Sequence, residues 1–188
     1  MDYFSFFSLI VLVTLLFLQI RRRYSDFDFF NITKKIFFFS IIGGFVYYGY
    51  LVYNQYFIWF YAGPPASFLL PPYESLWYVF SYHLGRFGLM YGVSLFVGLI
   101  FLAAAIRFNR KHGDLFFEKE EPYLGALAIF LAGTPGELYY FGGLITTYFI
   151  LHLGLRMVRR TKEELRLPVY WLWLPLAILA IIIEIIFK

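Results

Sequence analysis

The chain has 188 residues, of which 61% are hydrophobic and only 15% charged, whereas soluble globular proteins are about half apolar and about a quarter charged. Its net charge of +4 could indicate a nucleic-acid partner, but the basic residues form short clusters beside apolar runs, where they act as topology signals. The composition therefore predicts a membrane protein and argues against nucleic-acid binding. The absence of cysteine excludes disulfides, thiolate metal sites and a cysteine nucleophile.

Four apolar segments are long enough to cross a bilayer, which takes about 20 residues of helix. In chain order they are residues 3–20, 36–62, 87–106 and 167–187. The first is predicted to be a retained helix, because its basic residues follow the apolar run and no small-residue cleavage site is present. A fifth stretch, 122–157, is too long for one ordinary span and barely long enough for two.

Clusters of basic residues predict how these segments cross the membrane. Residues 21–35, 107–111 and 156–162 carry the clusters, which should share the cytoplasmic side. The 122–157 stretch must then form a hairpin that turns near 134–137, and its first arm is short or re-entrant. We predict an all-α integral membrane protein, a polytopic bundle of about six segments with the N-terminus outside.

The same topology predicts one transmembrane domain over residues 1–188. An apolar, proline-rich outer arm loop covers 63–85, and there is no separate soluble domain. The acidic run 118–121, which precedes Pro122, is interpreted as a helix start that favours the positive end of the helix dipole.

Charged or titratable side chains inside apolar runs are costly, so each is a candidate functional residue. His83 and Arg86 open the third span, Glu137 lies in the hairpin turn, and Glu184 lies near the outer end of the last span. The predicted topology places all four at the outer leaflet, where they could bind an anionic lipid headgroup and move a proton. The alternative is that Arg86 and Glu184 are interfacial anchors without a function.

Several motifs resemble those of prolipoprotein diacylglyceryl transferases, and they occur along the chain in the same order as in that family. Residues 81–88, Ser-Tyr-His-Leu-Gly-Arg-Phe-Gly, resemble the Ser-Phe-His-Gly-Gly start of that family's third helix. Residues 134–143 are similar to its His-Pro-Thr-Gln-Leu-Tyr-Glu segment, and residues 182–188 resemble its closing Arg-Phe-Ile-Glu-Phe-Phe-Arg. Segments 42–48 and 122–128 match further landmarks, so the resemblance covers most of the chain.

The resemblance implies a site and a reaction. In that family the histidine and arginines hold the phosphate of phosphatidylglycerol and help to transfer diacylglycerol to a lipobox cysteine. Carried over to this chain, the catalytic residues are His83 and Arg86. The substrate-binding residues are Tyr48, Glu137, Tyr139 and Glu184. The implied partner is an anionic phospholipid in a bacterial-type inner membrane, with other membrane proteins as further partners and no metal or cofactor.

Departures from the family motifs change the expected activity. Segment 43–48 lacks the second-helix arginine, residues 128–133 read Ala-Ile-Phe-Leu-Ala-Gly where the family has Gly-Arg-Ile-Gly-Asn-Phe, and the last helix lacks its arginine. The loss of buried cations that pair with phosphate weakens binding and transition-state stabilisation. We therefore expect a lipid-binding scaffold in which transfer activity is weakened or lost, as in a pseudoenzyme.

Two other functions stay open. Prepilin-peptidase-like aspartyl proteases resemble this chain in helix number, and Asp26 or Asp28 could pair with Asp114 at the cytoplasmic face, although residues 111–114 lack the first glycine of the Gly-x-Gly-Asp motif. A non-enzymatic subunit of a membrane complex would suit the aromatic content of 24%. Polar groups should converge at the outer leaflet in the transferase scaffold, at the inner face in the protease, and nowhere in the subunit.

Overall fold

A computed structural model describes residues 3–22, 24, 27–158 and 169–187 of the chain, with backbone alone at 155–158. All regular elements in these ranges are helical. They are α1 (Tyr3–Arg21), α2 (Phe29–Ala62), a 3-10 turn (Ala66–Leu69), α3 (Leu76–His83), a π-helical segment (Leu84–Gly88), α4 (Leu89–Lys111), α5 (Glu121–Ala132), α6 (Gly136–Val158), a second 3-10 turn (Val169–Trp171) and α7 (Trp173–Phe187).

Four continuous helical stretches are long and apolar enough to cross a membrane. They are Tyr3–Arg21, Phe29–Ala62, Leu76–Lys111 and Val169–Phe187. The prediction of an all-α membrane protein is thereby confirmed, while the number of crossings beyond these four stays a prediction. The third stretch begins at Leu76, earlier than the predicted span, because apolar residues after Ser75 continue the helix through His83 and Arg86.

The long helix α2 extends beyond the rest of the bundle. Asp28 caps its start and accepts a hydrogen bond from the Asn31 amide at 3.1 Å. Its 34 residues span about 51 Å, compared with about 30 Å for a bilayer core. The second half of α2 packs on α3, where the Trp59 ring centroid lies 5.2 Å from that of Tyr82. These two segments form an outer arm, which we define as residues 45–88.

Helix α5 lies at the centre of the bundle. All but one of its residues are buried, and it contacts α1, α2, α4, α6 and α7. Twelve residues span only about 18 Å, less than a bilayer core. Burial by five neighbouring helices is the condition under which a short segment is tolerated at membrane depth.

A close helix contact in the core joins α4 to α5. A Cβ atom at Gly98 would lie 2.8 Å from the backbone oxygen of Ala126, a distance that real Cβ atoms do not adopt. The Ser94 hydroxyl donates a hydrogen bond to the Phe130 carbonyl at 3.1 Å. A small residue and an interhelical hydrogen bond are the usual means of close packing between membrane helices.

Asn109 shapes the connection from α4 to α5. Its side-chain amide donates to the Phe117 carbonyl at 3.0 Å, and its side-chain oxygen accepts from the backbone amides of Phe116 and Phe117 at 3.0 Å each. Gly113 and Asp114 have positive φ angles of 68° and 57°, which reverse the chain direction. The connection therefore presents residues 118–121 to the end of α1.

Candidate functional site

An apolar cavity of about 360 Å³ opens between α2, the outer arm, α4 and α5. Its walls are mainly aromatic, and glycines make the space between the rings. The aromatic lining residues are Phe45, Tyr48, Phe80, Phe87, Tyr91 and Phe130, and the glycines are Gly44, Gly88 and Gly92. A cavity of this size and lining suits one apolar ligand segment.

Tyr48, predicted to bind substrate, lies in the cavity wall. Its hydroxyl donates a hydrogen bond to the Phe80 carbonyl at 2.8 Å, and its ring stacks on Phe87 with centroids 6.3 Å apart. The hydroxyl therefore holds α3 to α2, and the cavity receives only the ring of this residue.

His83 and Arg86 lie at the start of the π-helical segment and within it, close in sequence to the cavity lining. Leu84, between them in sequence, lines the cavity. The Arg86 guanidinium carbon lies 4.7 Å from the Tyr82 ring centroid, within the range of a cation–π interaction. The Nε2 atom of His83 is buried without a hydrogen-bond partner in the described part of the chain. The cation and the unsatisfied imidazole nitrogen thus belong to residues within two positions of a side chain that lines the cavity.

Glu184 reaches the start of α6 at Gly136, the residue before Glu137. A Cβ atom at Gly136 would lie 2.7 Å from Glu184 Oε2, so the carboxylate lies against the start of α6. The Thr134 hydroxyl donates to Glu137 Oε1 at 3.1 Å. Tyr139, two residues further along, is nearly half exposed.

The four predicted outer residues form two groups in the structure. One is His83 with Arg86, beside Tyr82, and the other is Glu137 with Glu184. The Thr134 amide donates to the Met90 carbonyl at 3.2 Å, and Met90 follows Arg86 by about one helical turn. The turn is therefore docked close to the arm, while convergence of all four side chains on one ligand stays a prediction.

A second polar cluster, which the sequence analysis did not identify, lies at the opposite end of the bundle. Arg22 forms ion pairs with Glu120 and, at 3.3 Å, with Glu118, and it donates to the Tyr170 hydroxyl at 3.2 Å. The Gln19 amide donates to the Tyr170 carbonyl at 2.9 Å. We call these residues the inner cluster. It joins α1, the start of α5 and the turn before α7.

The acidic run 118–121 leads into the start of α5, as predicted, and two of its carboxylates are also buried there. Glu120 is 3% exposed and Glu121 is 5% exposed. The available sequence signal was an acidic run that directly precedes the most apolar short helix, since carboxylates there must either pair or be buried with the helix. Arg22 could not be distinguished from its neighbours Arg21 and Arg23 by sequence.

Glu121, next to the inner cluster in sequence, should make the stability of the protein depend on pH. Burial raises the pKa of the Glu121 carboxyl, and the Glu118 amide, which donates to Glu121 Oε2 at 3.0 Å, partly opposes this shift. A pKa that is higher in the folded than in the unfolded state stabilises the fold below the unfolded value, and the contribution is lost as pH rises through the folded value. Glu121→Gln should therefore stabilise the protein relative to wild type at neutral pH but not in acid.

The measurement is the free energy of unfolding in detergent at a series of pH values from about 4 to about 7. The difference between Glu121→Gln and wild type should grow with pH. Glu74→Gln removes an exposed carboxylate and should give a plot of unfolding free energy against pH that is parallel to that of wild type. A parallel plot for Glu121→Gln as well would contradict the raised pKa of Glu121.

Two aspartates of the protease alternative, Asp28 and Asp114, lie at the same end of the bundle as the inner cluster. Asp28 is used as the α2 cap and also accepts from the Asn31 side-chain amide. Asp114 lies in the turn after α4, where its backbone amide donates to the Asn109 carbonyl at 2.9 Å. Asp26 lies outside the described residues.

Comparisons with protein-family models, with curated proteins and with solved structures found no match to the chain. The site is therefore interpreted from its own geometry and from the motif resemblance described above.

Proposed function

We propose that the chain is a multi-pass lipid-binding protein built on a scaffold resembling prolipoprotein diacylglyceryl transferase. One acyl chain of an anionic phospholipid such as phosphatidylglycerol occupies the apolar cavity, and its phosphate contacts Arg86 and His83. The protein has about six membrane segments with both ends outside, in a bacterial-type inner membrane.

The observation that carries this proposal is the position of Leu84. It lines the cavity, while His83 and Arg86 lie one and two residues away along the same helical turn. An apolar chamber with a cation at its edge is complementary to an amphiphile with an anionic head. The guanidinium of Arg86 can donate two parallel hydrogen bonds to a phosphate.

The residues that line the cavity support lipid binding more strongly than diacylglyceryl transfer. None of the described side chains that line the cavity is charged, so we expect a bound lipid to meet cations only outside this lining. Stabilisation of a transferring group needs preorganised charges at the reacting atoms. We therefore propose that diacylglyceryl transfer is weakened or lost. Purified protein that converts a lipobox peptide with phosphatidylglycerol at an ordinary rate would contradict this part while leaving lipid binding intact.

Native mass spectrometry of the protein released from mixed phosphatidylglycerol and phosphatidylethanolamine nanodiscs tests the lipid site. Gly92→Phe should fill the cavity, since a Cβ atom at Gly92 meets nothing within 4 Å. Arg86→Gln removes a charge-assisted interaction of about 1.5–3 kcal/mol. We expect each variant to retain about tenfold less phosphatidylglycerol than wild type.

Matched variants control for bulk and for charge. Gly49→Phe adds the same ring to α2 at a position where a Cβ atom is also uncrowded, and Gly49 does not line the cavity. Arg107→Gln removes an exposed arginine near the other end of α4. Both should retain wild-type lipid. If all four variants retain as much phosphatidylglycerol as wild type, Arg86 is an interfacial anchor. That result would favour a function as a membrane-complex subunit.

A further inference from the structure

A further apolar cavity, of about 420 Å³, lies on the outer arm between α2 and α3. We call it the second cavity, and the cavity of about 360 Å³ that is lined in part by α4 and α5 the first cavity. Val52 and Tyr56 contribute to its α2 wall, and Leu76, Trp77 and Phe80 contribute to its α3 wall. None of the described side chains that line it is charged. Since its volume is close to that of the first cavity, it too suits one apolar ligand segment.

Phe80 forms part of the wall of both cavities. Its ring stacks on Trp77 of the second cavity, with centroids 5.1 Å apart, and meets Tyr48 of the first cavity edge to face, with centroids 5.0 Å apart. The Tyr48 hydroxyl donates to the Phe80 carbonyl at 2.8 Å, which fixes the backbone at this point. The two cavities therefore share one aromatic side chain, and a ligand with two apolar chains could place one on each side of it.

The second cavity lies at the outer boundary of the predicted membrane spans. About twenty residues of helix cross the 30 Å of a bilayer core. Counted from Lys35, at the inner end of α2, they reach Gln55, and counted back from Arg107 they reach Phe87. The α2 wall of the second cavity, residues 52–56, lies at this limit, and its α3 wall, residues 76–80, lies beyond it. The cavity is therefore at the level of the lipid headgroups.

This level decides which occupant is stabilised. Inside the bilayer core, lipid tails are as apolar as the side chains around them, so an apolar cavity there gains little from a particular occupant. At the headgroup level water reaches the apolar walls, and an occupant that covers them removes apolar surface from water. A polypeptide segment would bring backbone amides and carbonyls, for which an uncharged apolar lining offers few partners. An acyl chain brings none.

We propose that the second cavity holds the second acyl chain of the phospholipid whose first chain occupies the first cavity. Phe80 then lies between the two chains, close to the glycerol that joins them. This inference rests on the proposed function and extends it, because it makes the protein selective for lipids with two chains over lipids with one.

Native mass spectrometry tests the second site with delipidated protein in detergent, titrated with phosphatidylglycerol and with its single-chain lyso form. Wild type should bind phosphatidylglycerol about tenfold more tightly than the lyso form. Val52→Phe should fill the second cavity alone, since Val52 lines this cavity and does not line the first. We expect the variant to bind phosphatidylglycerol only as tightly as the lyso form, and to bind the lyso form as wild type does.

Val46→Phe is the matched control. It makes the same substitution in α2 at an exposed residue that lines neither cavity, so it should keep the wild-type preference for two chains. Wild-type affinity for the lyso form shows that a variant is folded. The ratio of the two affinities in wild type tests the proposal even where a variant fails to fold.

Equal affinity of wild type for the two lipids would overturn the inference and leave the proposed function intact, because only one chain would then be held. A Val52→Phe variant that keeps the wild-type preference would overturn it as well. Loss of both lipids from Val52→Phe but not from Val46→Phe would have the same meaning, since the single chain would then use the second cavity. Binding of neither lipid by wild type would overturn the proposed function itself.

Discussion

Arg22→Ala should lower the free energy of unfolding by about 3 kcal/mol, because it leaves a buried carboxylate without its cation. Glu120 is 3% exposed and ion-pairs with Arg22. The same substitution removes the hydrogen bond from Arg22 to the Tyr170 hydroxyl, which loosens the contact between α1 and the start of α7. Unfolding in mixed detergent and denaturant micelles, followed by tryptophan fluorescence, measures the change.

Two comparison variants distinguish the effect of losing the ion pair from the effect of losing any basic residue. Arg21→Ala removes the exposed neighbouring arginine and should change stability by no more than about 0.5 kcal/mol. A double variant, Arg22→Met with Glu120→Met, should recover much of the loss, because a buried ion pair can often be replaced by apolar side chains of similar volume. A double variant as unstable as Arg22→Ala would show that Glu120 does not need the cation.

Gly98→Ala should lower the free energy of unfolding by about 2 kcal/mol, as overpacking of a tight contact does. The added methyl group would lie 2.8 Å from the Ala126 carbonyl oxygen, and a backbone atom cannot rotate away as a side chain can. Helices α4 and α5 must therefore separate. We expect Gly98→Leu to prevent the folded bundle from forming, as judged by the yield of monodisperse protein in gel filtration.

Gly92→Ala on the same helix is the matched control. A Cβ atom there meets nothing within 4 Å, so the substitution should be neutral within about 0.5 kcal/mol. If Gly98→Ala and Gly92→Ala lower the free energy of unfolding equally, the loss comes from a change in helix flexibility. The α4–α5 contact would then not be its cause.

The positions of the helices were predictable because hydrophobic length and composition decide them locally. The first segment was predicted at 3–20, and α1 is Tyr3–Arg21. Its arginines mark the end of the apolar run, as the energetic cost of charge in lipid requires. The start of the third helical stretch was less predictable. His83 and Arg86 interrupt the apolar pattern without interrupting the helix.

The pairing of side chains was not predictable, because it depends on how helices rotate about one another. Nothing in the sequence indicates that Gln19 reaches the Tyr170 carbonyl or that Arg22, among three adjacent arginines, contacts Glu120. The four outer candidates came from the cost of charge in an apolar environment alone. The structure divides them into the pair beside the cavity and the pair at the α6 start, which sequence spacing could not do.

The π-helical segment Leu84–Gly88 has a consequence for how such a protein can evolve. A wide turn accommodates one more residue than an α-helical turn does, and each residue of an α-helix corresponds to about 100° of rotation. Deletion of a single residue within this segment would leave α4 and α5 packed as they are while turning α3 and its histidine to a different side. The direction of α3 relative to α4 is therefore encoded in this short segment, separately from the residues that form the α4–α5 contact.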